Sequence, residues 1–437
     1  MRLFHWLLVM VFLADALPAA VPADPPGWQV LFQALIALAV LFYLSLATPE
    51  ERSHVVRNAR PLALPAFLLV FLVTLSYLSS QTLSRFDGYF LFEFLTCLSM
   101  IPLVALYCKT LRDFERMVYV VIAGGLLQLP IVLGQALGYA DSLPGGLARL
   151  GASGGSLTDL AVSGSVARYF GSFGDYELLA EYSAIVLILC FGIVVFGLSS
   201  RRSLMVLGTV GAALVGWFTG TRGFALGALG GVAILAILAV FLSGRRFARV
   251  WRLAVLLFAV VVGILWLVPS QVTAGFLGRL ALPNSSISGP NAFNRAPLFK
   301  TWISLAHGMP PLGYGADMMD RVHRAYPMLV SPHSLYFSIL LSGGFPALAA
   351  LILFVAVLLF TVLKVTLASP VPKCRRWGAV LTAVVAFWLV DEIKIEFLRL
   401  PFYMDFVFLV FGLIAALGAL SWNRTTIDQA VTLKFKG

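Results

Sequence analysis

Apolar runs dominate this chain, and they recur at a telling length. A helix needs about 20 predominantly apolar residues to cross a bilayer. Runs of that order fall at 4–22, 28–47, 61–80, 88–108, 117–138, 177–198, 203–220, 224–243, 252–269, 345–363, 378–393 and 401–420. The pattern predicts an all-α polytopic membrane protein with about twelve transmembrane helices, a single membrane domain over 1–437. The polar stretches between the runs carry the orientation. Arg52, Arg57 and Arg60, then Lys109, Arg112 and Arg116, then Arg201 and Arg202 all fall on one side when the runs are threaded in alternation. Arg245, Arg246, Arg249 and Arg252 join them, as do Lys364, Lys373, Arg375 and Arg376. By the positive-inside rule that side is cytoplasmic, and an even number of spans puts both termini there. The first run, with Arg2 ahead of it and Ala14-Asp15-Ala16 within it, also resembles a signal peptide. Its removal would leave the later topology unchanged.

Two loops on the opposite, extracytoplasmic side are long. The first, 139–176, is rich in Gly and Ser (Gly151-Ala152-Ser153-Gly154-Gly155-Ser156), the composition of irregular backbone. It ends on Arg168-Tyr169-Phe170-Gly171-Ser172-Phe173-Gly174-Asp175-Tyr176-Glu177. There Asp175 is a good helix N-cap, with Glu177 in the first turn behind it. The second loop, 270–344, is the largest polar interruption and holds His307, His323 and His333, three of the five histidines. Within it, Pro297 suits the first turn of a helix running to about Ala306, with Arg295 just ahead. Leu298, Trp302 and Leu305 then form an apolar face expected to rest on the membrane surface. Gly308 and Pro310-Pro311 end that helix. Ser331-Pro332-His333 reads as the start of another, with Ser331 as cap, Pro332 in its first position and His333 in its first turn. Gly343-Gly344-Phe345-Pro346 breaks it before the next span.

Composition narrows the class further. Hydrophobic residues make up 60% and charged residues 12%, and the mean hydropathy is +0.94. An ordinary soluble domain carries about 25% charged residues, so no length remains for a sizeable soluble domain. A net charge of +11 raises the question of nucleic acid. The placement of the cations in short clusters between apolar runs marks them as orientation signals instead. Cys97, Cys108 and Cys190 fall in or at the ends of spans and Cys374 in a basic loop, so no disulfide framework is indicated.

Ionisable residues inside spans belong in the bundle interior or a wet cavity. Glu93, Glu181 and Asp405 lie near the outer ends of their spans, and Asp391, Glu392, Lys394, Glu396 and Arg399 cluster at the outer end of the eleventh. That asymmetry predicts a polar cavity open to the outside. A histidine in a first helical turn meets the positive end of the helix dipole, which disfavours the imidazolium and leaves a ring able to accept a proton. His333 is therefore the candidate base, with a surface histidine near the headgroups as the bland alternative. Arg168, Arg222 (in Thr219-Gly220-Thr221-Arg222-Gly223) and Arg295 all lie on the outer side beside spans. Arginine's planar fork pairs bidentately with phosphate oxygens, although headgroup anchoring alone would also place arginines there. No zinc-ligand spacing, phosphate-binding glycine loop or metal motif is present.

The order of these motifs resembles the O-antigen ligase / O-antigen polymerase (Wzy-type) superfamily. The residues that carry the likeness are Arg168 with Gly171-Ser172-Phe173-Gly174, Thr221-Arg222-Gly223, Arg295 before an aromatic-rich helix, and Pro310-Pro311-Leu312-Gly313-Tyr314-Gly315. Pro332-His333-Ser334 and Ser342-Gly343-Gly344-Phe345-Pro346 follow, so that the likeness covers roughly 165–365. It implies a GT-C-like bundle in the inner (plasma) membrane and a metal-independent, inverting transfer with no cofactor. A glycan would pass from an undecaprenyl diphosphate carrier to an acceptor hydroxyl, on a glycan or a lipid, at an extracytoplasmic site. By the same resemblance His333 activates the acceptor, and Arg295, Arg222 and Arg168 hold the diphosphate. The chain departs from the family in Ser334, where Asn is commoner, in Phe299, where Leu is frequent, and in Asp175-Tyr176-Glu177, which replaces Asn-Pro-Asn. Ligases, chain polymerases and protein O-glycosyltransferases share these motifs. A transporter of a lipid-linked or anionic solute is the reading from another class. It calls for internal repeats and sites near the midplane, whereas no repeat is evident here and the embedded charges lie towards one face.

Overall fold

The structure is a computed structural model that describes residues 38, 48–80, 85–136, 169–173, 175–243, 296–325, 332–399 and 401–422. The expected spans at 4–22 and 252–269, and all but one residue of that at 28–47, lie outside these. Among the described residues there is no strand. Seven helical stretches among the described residues are long and apolar enough to cross a membrane: Pro61–Ser79, Phe90–Tyr107, Leu111–Ala136, Tyr176–Phe196, Gly223–Leu242, Leu335–Ala368 and Tyr403–Ser421. This is an all-helical, membrane-embedded protein. Two further expected spans are present in other forms. Arg202–Phe218 is apolar but only 17 residues long, and Pro372–Asp391 is a 20-residue helix that starts on the basic run Lys373, Arg375 and Arg376.

The helices are α1 (Pro49–Ser79), α2 (Arg85–Cys97), α3 (Met100–Tyr107), α4 (Leu111–Ala136), α5 (Tyr176–Phe196), α6 (Arg202–Phe218) and α7 (Arg222–Ser243). After them come α8 (Ala296–His307), α9 (Met318–Ala325), α10 (Leu335–Ala368), α11 (Pro372–Asp391) and α12 (Pro401–Ser421). They group into two compact units, the first drawn from 1–22, 115–285 and 366–391, the second from 23–114, 286–365 and 392–437.

In the first unit α5 is the buried centre. A helix that is apolar on every side must be enclosed, and from Leu178 to Phe196 every residue of α5 is buried. Its start is fixed by the cap the sequence predicts: Asp175 accepts hydrogen bonds from the Glu177 N–H at 2.7 Å and the Leu178 N–H at 3.2 Å. Small residues let its neighbours approach. A Cβ on Gly125, Gly192 or Gly208 would stand 2.6, 2.6 or 2.9 Å from Val186, Val380 or Cys190, the close contact on which helix association in lipid depends. Glu181, one of the expected in-span acids, is fully buried here.

In the second unit α12 lies within an aromatic ladder. Phe408 meets Phe94 and Phe411 edge-on at 6.4 and 5.5 Å between ring centroids, and Phe411 meets Phe354 at 5.0 Å. Edge-to-face rings add about 0.5–1.5 kcal/mol per pair beyond their buried area. Glu93 and Asp405 are buried in this unit, as expected of acids inside spans. None of the four cysteines is in a disulfide, and all four are buried. Cys108, in the turn between α3 and α4, has its thiol pushed well above the usual range by burial, with the Asp113 carboxylate adding to the effect.

Candidate functional site

In the first unit, the backbone beside two of the predicted arginines comes to one place. The Tyr169 N–H donates to the Phe218 carbonyl at 3.2 Å, and the two rings meet edge-on at 5.8 Å. Phe218 ends α6, and α7 begins at Arg222. Between them Gly220 adopts φ 64, and Thr221 Oγ1 accepts from the Phe224 N–H at 3.4 Å, capping α7. Arg222 therefore occupies the first position of a capped helix, as its turn sequence suggests. Arg168 lies outside the described residues, and Tyr169 is the first residue described after it. Burial raises the Tyr169 hydroxyl above its ordinary range.

Two glutamines that the sequence reading passed over anchor this segment. Gln135 Oε1 accepts from the Phe170 and Gly171 N–H groups at 3.3 and 3.0 Å, and its Nε2 donates to the Gly171 carbonyl at 3.0 Å. Gln128 Oε1 accepts from the Ser172 N–H and hydroxyl at 2.9 and 3.0 Å. Spaced by seven, the two lie on one face of α4. Both are buried, and an amide at that depth must hydrogen-bond. Their signal was therefore in the sequence as two amides inside a span, but their partner was not.

The second unit holds His333, which is half-buried and has φ 52, the left-handed region. Among the described residues it is the one non-glycine with positive φ. Histidine is among the residues enriched there, yet such a backbone persists only when its surroundings impose it. The expected helix start needs correction. His333 is not in a first turn. The helix begins at Leu335, and the Ser338 N–H bonds back to the Ser334 carbonyl at 2.8 Å, which makes Ser334 the cap position.

The cause is long-range. The Leu335 N–H donates to the carbonyls of Glu392 and Ile395, both at 3.0 Å. Glu396 accepts from the Ser338 hydroxyl, and Glu392 Oε2 accepts from the Phe397 N–H at 3.3 Å. The acidic stretch after α11 thus wraps the first turn of α10, and Glu392 and Glu396 are buried there. The helix dipole falls off within its first turn, so His333, ahead of that turn, draws less from it than the sequence suggested.

A second correction concerns α8. Its ends agree with expectation, Ala296 to His307, but its apolar face does not rest on the membrane surface. Leu298 and Trp302 are buried against Met318, Val322 and Leu341, with Leu305 packed alongside. An amphipathic face shows only that something covers it, and here the cover is protein. Arg295 lies outside the described residues, one position ahead of this anchored helix.

The break at Gly343-Gly344 is present as read. Gly344 has φ 71 and ψ −172 inside α10. It is packed against the turn after α8: a Cβ on Gly344 would lie 2.7 Å from the Gly313 N and 2.8 Å from the Leu312 carbonyl carbon. Tyr314 N–H donates to the Leu341 carbonyl at 2.7 Å, and Ser76 Oγ donates to the Ser342 carbonyl at 2.5 Å. The two glycine-bearing motifs of the loop therefore meet backbone to backbone.

Among the described residues no three His, Cys, Asp or Glu side chains converge to hold a metal ion. No protein-family model matches the chain, and no curated protein matches it.

Proposed function

We propose that this protein is a membrane glycosyltransferase of the O-antigen ligase type, with about twelve spans in a GT-C-like bundle. It moves a glycan from a polyprenyl diphosphate carrier to an acceptor hydroxyl at the extracytoplasmic face of the inner membrane, with both termini cytoplasmic. His333 takes the acceptor proton as the oxygen attacks the anomeric carbon and the diphosphate leaves. Arg295, Arg222 and Arg168 offset the charge growing on the leaving group, where preorganised donors contribute most. No metal or cofactor enters this reading.

The observation that carries it is the joining of motifs that are separate in sequence. His333 stands in an imposed left-handed conformation at the head of α10. The broken turn of that same helix is locked onto Gly313-Tyr314, and α8 is packed onto it through Leu298 and Trp302. A positive-φ backbone on a non-glycine residue is the kind of strain that clusters at functional sites. Chain polymerisation by the same chemistry is the second reading, favoured by the same motifs.

Deleting the gene and analysing the surface glycan tests the proposal. Loss of all attached glycan, with lipid-linked chains accumulating, is the expected result. Loss of long chains with single repeats still attached would mark a polymerase. An unchanged glycan would remove the function altogether.

A further inference from the structure

The second unit contains a cleft of about 510 Å³ whose described lining does not include His333. Its walls are the C-terminal end of α1 at Ser76, Ser79 and Ser80, the turn from Gly308 to Tyr314, and Asp317 and Arg321 at the head of α9. Its volume falls within the range of small-molecule sites, about 300–1,000 Å³. The chemistry of the lining narrows the ligand. One carboxylate and one guanidinium leave the cleft with no net charge, which favours neither a phosphate nor a cation. The remaining side-chain polar groups are hydroxyls, and those of Ser76, Ser79 and Tyr314 donate within the protein, which leaves their lone pairs to accept. Pro310 and Pro311 bring C–H surface and no N–H. A ligand that presents hydroxyls on its edge and C–H on its face fits that mixture, and a sugar ring does both.

The cleft is also built to hold its shape. Arg321 lies over the Tyr314 ring, its guanidinium carbon 5.0 Å from the centroid, so its donors are oriented before any ligand arrives. Tyr314 is fixed in turn by its hydroxyl, which donates to the Leu305 carbonyl at 2.7 Å, and by its N–H to Leu341. Ser79 Oγ donates to the Ser76 carbonyl at 2.7 Å, leaving its lone pairs to accept from a ligand. The Gly313 N–H closes the turn onto the Pro310 carbonyl at 2.8 Å with φ 81. Leu341, which holds Tyr314, lies six residues along α10 from Leu335, about 9 Å at helical rise. The cleft therefore sits one short stretch of oligosaccharide away from the His333 end of that helix.

We propose that this cleft grips the glycan at a distance from its reacting end, as a neutral saccharide subsite that retains the chain through the transfer. The proposal rests on the transferase reading for its role, but its binding claim can be tested separately. Purified full-length protein in detergent is titrated with oligosaccharides released from the cell's own surface polysaccharide, with binding read by saturation-transfer NMR. Wild-type protein binds them. Arg321→Ala and Asp317→Asn each weaken binding about tenfold, the scale of one hydrogen bond to a charged group. In cells the same variants still attach glycan but shift its length distribution downward. Absent binding to wild type, or equal binding by all three proteins, overturns the subsite whatever His333 does. Saccharide binding that depends on Arg321, together with full transfer by a His333→Asn variant, would keep the subsite and remove only His333 as the base.

Discussion

His333→Asn is expected to lower glycan transfer by about a hundred- to ten-thousand-fold, the usual contribution of a general base, while the protein still inserts and folds. Asparagine is the informative replacement because it tolerates the left-handed backbone that His333 adopts at φ 52. It therefore keeps the turn before α10 and removes only the proton acceptor. His333→Ala tests the same group but adds strain, since alanine adopts positive φ reluctantly. Equal loss in both variants, with unchanged thermal unfolding for Asn, assigns the effect to proton transfer. Activity retained by Asn and lost by Ala would mean that His333 serves the backbone alone.

Gly344→Val should produce the largest loss of folded protein. The backbone there, φ 71 and ψ −172, lies in a region open essentially to glycine, at about 1–3 kcal/mol for another residue. The added Cβ would also meet the Pro311 carbonyl and the Gly313 amide. No flexible side chain is available to yield, because the obstructing atoms are backbone. Both glycine-bearing motifs would separate, and the Ser76 and Tyr314 hydrogen bonds with them. The check is the monodisperse fraction and melting temperature of detergent-solubilised variants. Gly230→Ala serves as comparison, since a Cβ there meets nothing within 4 Å. A Gly344→Val protein as stable as that control would contradict the packing described here.

Much of this architecture was readable from the chain, and the reasons differ by element. Spans such as α5 and α12 declare themselves because lipid admits only long apolar helices. Asp175 was legible as a cap because capping is local, between a side chain and backbone two and three residues on. The break at Gly344 was legible for the same reason. The start of α10 was expected three residues too early, with His333 inside it, because a local rule favoured Ser331 and Pro332. Carbonyls more than fifty residues away, at Glu392 and Ile395, decided the helix start instead. Leu298 and Trp302 were identified as a buried face, but periodicity cannot say whether lipid or Met318 and Val322 bury it. Gln128 and Gln135 were visible as polar residues in a span, and only folding reveals that they clasp residues 170–172. Of the predicted arginines, Arg222 is seen to open α7, while Arg168 and Arg295 lie outside the described residues.

The central claim is that a new glycosidic bond is made at the expense of a polyprenyl diphosphate linkage. The most direct measurement uses purified protein in liposomes, supplied with polyprenyl diphosphate-linked glycan and with the lipid acceptor isolated from the same cell. Free polyprenyl diphosphate and glycosylated acceptor should appear together in equal amounts, and neither with the His333→Asn protein. Glycan carried across the vesicle wall with its diphosphate linkage intact would instead identify a transporter.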